Sequence, residues 1–171
     1  MTGPSTDNRD FTAEPLHVAF VCLGNICRSP MAEVIFTEAV ARAGLQERIR
    51  VSSSGTGDWH VGQGADERAL RELADNGYDG SDHRASQVGP ETLAADLIIA
   101  LDTNHRSSLI VASGAAEKKV RMLRDFDPAA GPDASVADPY FGGPAGFVTT
   151  REQIEAAVPG ILDWARAQLN R

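Results

Sequence analysis

Apolar positions along this chain come in two patterns. Short, unbroken runs, Leu16-His17-Val18-Ala19-Phe20-Val21 and Asp96-Leu97-Ile98-Ile99-Ala100-Leu101, are rich in branched side chains and predict buried strands. Ile49 to Ser53 and Lys119-Val120-Arg121-Met122-Leu123 predict two more. Elsewhere the apolar residues recur at helical spacing. Met31, Val34, Ile35, Ala39 and Val40 predict an amphipathic helix from Pro30 to about Ala43, stopped by Gly44. Ala69, Leu70, Leu73 and Ala74 share one face of a helix from Ala65 to Asn76, with Gly77 as its stop. A short helix is predicted over Pro90 to Ala95 and another from Thr103 to about Ala112. In the last helix, from about Phe147 to Asn170, residues Ile154, Ala157, Val158, Ile161, Leu162, Ala165 and Leu169 face the core, and Pro159-Gly160 is expected to kink or break it.

Strands alternating with helices predict a single α/β domain over residues 16 to 171, a parallel sheet with helices on both faces. Residues 1 to 15 are polar and punctuated by Gly and Pro, which predicts a disordered tail. Residues 124 to 147 carry Asp125, Asp127, Asp133 and Asp138 with little periodicity, and an irregular stretch that long inside a compact domain is usually functional.

Composition narrows the function. The chain has 171 residues, 42% hydrophobic and 23% charged, the balance of one ordinary globular domain. A formal net charge of -8 argues against nucleic acid or an anionic membrane as partner, because both call for a basic surface. No apolar run is long enough to span a bilayer, and the N-terminus lacks a cationic segment followed by an apolar one. The two cysteines, Cys22 and Cys27, form neither a disulfide framework nor a zinc-spaced cluster. A reducing, cytoplasmic setting is therefore expected, with export by a route other than an ordinary signal peptide left open.

The chemistry concentrates where the first strand ends, at Cys22-Leu23-Gly24-Asn25-Ile26-Cys27-Arg28-Ser29-Pro30. Ser29-Pro30 reads as a helix start, with Ser29 able to cap it or turn back into the loop. The peptide N–H groups of Leu23 through Arg28, wrapped before a helix's positive end, make a socket for a tetrahedral oxyanion. Arg28 adds a two-pronged donor that matches phosphate oxygens. Cys22 lies at the socket floor, where the field that draws phosphate also favours thiolate. Free cysteines are usually small buried hydrophobes, but one between a strand and an Arg-Ser-Pro helix start is placed for chemistry.

This loop resembles the signature of the low-molecular-weight protein tyrosine phosphatases, most closely the actinobacterial branch that includes the mycobacterial secreted enzyme. The likeness continues through Ser53-Ser54-Gly55-Thr56-Gly57-Asp58-Trp59-His60-Val61-Gly62, Asp82-His83-Arg84-Ala85, Ala100-Leu101-Asp102-Thr103-Asn104 and Asp138-Pro139-Tyr140. It implies a four-stranded sheet in the order 2-1-3-4. It also implies hydrolysis of phosphotyrosine and small aryl phosphates through a cysteinyl-phosphate, without metal or cofactor, on phosphotyrosine-containing proteins, by a monomer or weak dimer. Cys22 would be nucleophile, Arg28 the phosphate clamp and Asp138 the proton donor, with Pro139 stiffening the backbone and Tyr140 partly desolvating the carboxyl. Leu23, Gly24, Asn25, Ile26, Cys27 and Ser29 would shape the socket, Trp59 and Tyr140 would wall the aryl group, and Ser53 and His83 would support the loop together with Asn25 and Ser29. His17, His60 and His105 receive no catalytic role.

Two departures carry meaning. Many relatives have two tyrosines after the acid, whereas this chain has Tyr140-Phe141, so control by phosphorylating the second is lost. Arginine-phosphate-specific relatives carry Thr where this chain has Ile26, which disfavours that substrate. Two other readings fit the scaffold less well. An arsenate reductase needs relay cysteines downstream and none follows Cys27, while a phosphate-binding module would have lost the nucleophile or the acid.

Overall fold

A computed structural model describes residues 14–113 and 118–171. The expected tail falls on residues outside this set, apart from Glu14 and Pro15, which are exposed and irregular. Strands β1 (Leu16–Cys22), β2 (Ile49–Gly55), β3 (Leu97–Ala100) and β4 (Val120–Met122) form one parallel sheet in the order β2-β1-β3-β4. The helices are α1 (Arg28–Arg42), α2 (Glu67–Asp75), α3 (Pro90–Leu93), α4 (Thr103–Ser113) and α5 (Pro144–Leu169), and a 3-10 turn over Leu123–Phe126 follows β4.

The two-residue period of β1 divides the core. Val18, Phe20 and Cys22 point to the larger layer, against Met31, Ile35, Phe36 and Val40 of α1 and the buried faces of α2 and α5. Ala19 and Val21 point to the smaller one, with Ile98, Ala100, Leu109, Val120 and Met122. Cys22 thus emerges on the face that α1 covers, at the carboxyl end of a central strand. Register sets Cys22 beside Gly55 and Val21 beside Ala100, so the loops after β1, β2 and β3 meet at one end of the sheet.

Two local expectations, each with two alternatives, lose one of them. α1 starts at Arg28, with Cys27 as N-cap and no side-chain cap, so Ser29 is an interior first-turn residue rather than the cap. Its hydroxyl turns back into the loop, the other course expected of it, as described below. α5 runs unbroken through Pro159. Pro159 sits on the exposed side, and the buried positions Ile154, Ala157, Ile161 and Ala165 stay in phase across it, so packing continues where one backbone bond is missing. Gly160 serves contact: a Cβ there would lie 2.3 Å from the Phe126 carbonyl oxygen, so only glycine lets α5 close against the 3-10 turn.

Candidate active site

The loop from Leu23 to Cys27 is held by its own centre. Asn25 is fully buried and adopts a left-handed backbone (φ 59°), which Asn tolerates better than most residues. Its Nδ2 donates to Ser29 Oγ at 2.8 Å and Ser53 Oγ at 3.0 Å, and its Oδ1 accepts the Ser86 N–H at 2.9 Å. His83 Nε2 reaches the Asn25 carbonyl oxygen at 2.7 Å. Ser53 Oγ donates onward to Glu33 Oε1 at 2.6 Å, and Glu33 lies 3.6 Å from His83 Nδ1. Gly55 completes the support: a Cβ there would stand 2.6 Å from the Leu23 carbonyl oxygen, so β2 can approach the loop only without a side chain.

Cys22 Sγ is buried at the base, 2.9 Å from Ser29 Oγ and 3.3 Å from the Asn25 N–H that donates to it. The peptide N–H donates to the sulfur, while between the thiol and the Ser29 hydroxyl either group can donate. Cys27, also buried, is different in kind. Burial pushes its thiol far up, and Asp66, Cys22 and Asp138 add to the push, so it stays protonated at neutral pH. The uncapped start of α1 leaves first-turn N–H groups facing the loop, the helix end that attracts anions.

Arg28 is buried and turned across the site. Nη1 donates to Asp102 Oδ2 at 3.1 Å and to the Val136 carbonyl at 3.0 Å, while Nη2 lies 3.5 Å from Asp138 Oδ2. Burial pushes the Asp102 carboxyl up, but the His105 N–H bond at 2.9 Å and the charges of His105 and Arg28 outweigh it and hold Asp102 below the usual carboxylate range. Asp138 is half-exposed and its Oδ1 accepts the Tyr140 N–H at 3.1 Å. A cavity of about 170 Å³ is lined by Cys22, Leu23, Gly24, Ile26, Cys27, Arg28, Trp59, Asp138 and Tyr140, with Asn25, Ser29, Ser53 and His83 behind it. Every residue that the resemblance assigned to the site therefore lies in or against one cavity, whereas Asp125 and Asp133 of the same loop bond elsewhere, to the Met122 N–H and to Arg106.

Sequence reasoning missed other members. His60 and Phe141 also line the cavity, Glu33 and Ser86 brace the loop, and Asp102 orients Arg28. Asp102 and Glu33 stood in stretches already notable, but nothing in charge or spacing separated them from surface carboxylates. Trp59 is 68% exposed, a rim residue whose ring lies over Gly57 rather than in the core.

The chain matches the family model "low molecular weight phosphotyrosine protein phosphatase" over residues 17–171. It belongs to that family. Its activity is that of a protein tyrosine phosphatase, a phosphoric monoester hydrolase. It is similar to the Mycobacterium tuberculosis low molecular weight protein-tyrosine phosphatase A, 52% identical over 93% of this chain and 97% of that one. Among solved structures it is similar to YfkJ from Bacillus subtilis, with a TM-score of 0.84 and 32% identity over 92% and 98% of the two chains. It is also similar to the arginine phosphatase YwlE, with a TM-score of 0.78 and 27% identity over 88% and 95%. Among the described residues no helix is long and apolar enough to cross a membrane.

Proposed function

We propose that the chain hydrolyses phosphotyrosine in proteins by double displacement at Cys22. The observation that carries this reading is the convergence of Cys22, Arg28 and Asp138 on one cavity, with the Arg28 guanidinium 3.5 Å from the Asp138 carboxylate. Cys22 Sγ attacks phosphorus, an S–P bond forms, the P–O bond to the phenol breaks, and Asp138 gives its proton to the departing oxygen. Asp138 then takes a proton from water as that water attacks phosphorus, and the S–P bond breaks to release phosphate. Arg28 and the loop amides take up the charge on the phosphoryl group in flight, the largest contribution expected of such a site. This assignment uses no metal or cofactor.

Aromatic and apolar side chains at the mouth, Trp59, Tyr140, Phe141, Leu23 and Ile26, favour an aryl phosphate over the polar guanidinium of phosphoarginine. A nucleophilic thiol also suits a reducing compartment, so we place the protein in the cytoplasm, acting on phosphotyrosine-containing proteins as a monomer or weak dimer. The deciding experiment presents phosphotyrosine, phosphoserine and phosphoarginine peptides with chelator present. Turnover is expected on phosphotyrosine with radiolabel trapped on Cys22 after acid quench. Preference for phosphoarginine, or turnover by Cys22→Ser, overturns the reading.

A further inference from the structure

Arg68, near the start of α2, joins two loops that share no secondary structure. Its guanidinium donates to the Tyr140 carbonyl at 3.0 Å and the Gly142 carbonyl at 3.3 Å. It also lies 5.6 Å from the Tyr140 ring centre and 4.8 Å from that of Phe147. Asp66 fixes it from the other side, accepting from Nε at 3.1 Å and Nη2 at 2.9 Å. The Asp66 peptide N–H in turn donates to the Ile26 carbonyl of the phosphate loop at 2.8 Å. Arg68 does not line the cavity, and none of these contacts touches Cys22.

Among the described residues the segment between the 3-10 turn and α5 joins no strand. Single bonds anchor it before Asp138, from the Val136 N–H to the Leu101 carbonyl at 2.8 Å and from the Ala137 N–H to Gln153 Oε1 at 3.0 Å. After Asp138, whose Oδ1 accepts the Tyr140 N–H at 3.1 Å, Arg68 holds it. The carbonyl that Arg68 holds and the N–H that Asp138 accepts are the two backbone groups flanking the Tyr140 Cα, so holding Tyr140 in place limits where that carboxyl can point. A guanidinium suits the task because its planar fork serves a carboxylate and carbonyls together while its face covers aromatic rings. A side chain 38% exposed gains little from its ion pair as such, so its value lies in geometry. We propose that Arg68 is a positioning residue: the Asp66–Arg68 pair is a strut that sets the acid loop at a fixed distance from the phosphate socket. This rests on Asp138 being the proton donor.

The test is the dependence of kcat/KM on the leaving group, measured with aryl phosphates from nitrophenyl to unsubstituted phenyl. With the acid in place the wild-type slope is shallow. Arg68→Met is expected to lose about tenfold or more on phenyl phosphate, within the contribution of a general acid, and less than about twofold on the nitrophenyl ester. Inhibition by inorganic phosphate is expected to stay as in wild type. Arg68→Lys, which reaches a carbonyl but cannot also grip Asp66, restores part of the loss. Asp66→Asn keeps the helix cap, shifts the slope the same way by a smaller factor, and replaces Arg68→Met should that variant not fold. A wild-type slope in a folded Arg68 or Asp66 variant, or an equal loss across the series, overturns the strut alone. A wild-type slope in Asp138→Asn overturns the proton donor and the strut with it.

Discussion

At the scale of single residues, the two cysteines divide by environment. Cys22 Sγ accepts the Asn25 N–H and shares a hydrogen bond with the Ser29 hydroxyl, whereas Cys27 is buried among groups that keep it a thiol. Cys22→Ser is therefore expected to lose all measurable turnover while inorganic phosphate still binds, because the hydroxyl keeps the size of the group but not its nucleophilicity. Phosphate titration by calorimetry beside a turnover assay checks both halves. Trp59 is a rim residue, so its truncation acts on the aryl group and not on the phosphoryl. Trp59→Ala is expected to raise KM for phosphotyrosine peptides about three- to tenfold, in line with the roughly 0.5 to 1.5 kcal/mol of an aromatic pair, with kcat nearly held. An unchanged KM would return the ring to a purely loop-shaping role over Gly57.

At the scale of elements, β2 supports the socket by what it lacks. Gly55→Ala would push a methyl group against the Leu23 carbonyl, a backbone atom with nowhere to go, so the phosphate loop must shift. The expected result is a loss of about 1 to 3 kcal/mol in stability, together with weaker phosphate binding, read by thermal melts with and without phosphate. A stability loss with unaltered phosphate affinity would show that the loop does not depend on this contact. The same elements show what the chain made legible. The strands and the Cys22-to-Arg28 loop could be read because each is a local pattern, a short branched run or one contiguous motif. Asp138 was singled out among four loop aspartates by resemblance, since nothing local distinguishes a carboxylate that topology will bring to 3.5 Å from Arg28. Asp102, Glu33 and the Asp66–Arg68 pair escaped for the same reason: each acts on a partner far away in sequence. At Pro159 the expected break, one of the two outcomes open to it, does not occur, because a local rule about helix breaking lost to a buried face that continues across it.

At the scale of the whole molecule, loops from successive strands converge at one end of the sheet, and burial there reaches beyond the reacting groups. Behind Arg28, the His105 ring is 5% exposed, and its Nδ1 lies 3.3 Å from Asp102 Oδ1 in an alignment too poor for a hydrogen bond. Burial pulls its pKa down to about 4, with Arg28 helping and Asp102 and Asp138 opposing. Burial and Arg50 also lower His17, against the pull of Asp96. In the unfolded chain both titrate near the ordinary 6.5, so below that pH the unfolded state binds more protons than the folded one and acid favours unfolding. The stability these neutral rings preserve is complete above pH 6.5 and is lost as pH falls toward their folded values. For His105 the loss between pH 7 and 5 amounts to about 2 kcal/mol, or roughly 4 to 8 °C in Tm for a chain of this size. Melting curves at pH 7, 6 and 5 are expected to show at least this fall in wild type and a distinctly shallower one in His105→Gln, which keeps the backbone N–H to Asp102 but has nothing to protonate. Parallel lines for the two proteins would mean that His105 takes up its proton as readily folded as unfolded, and that the ring is not held neutral behind the arginine.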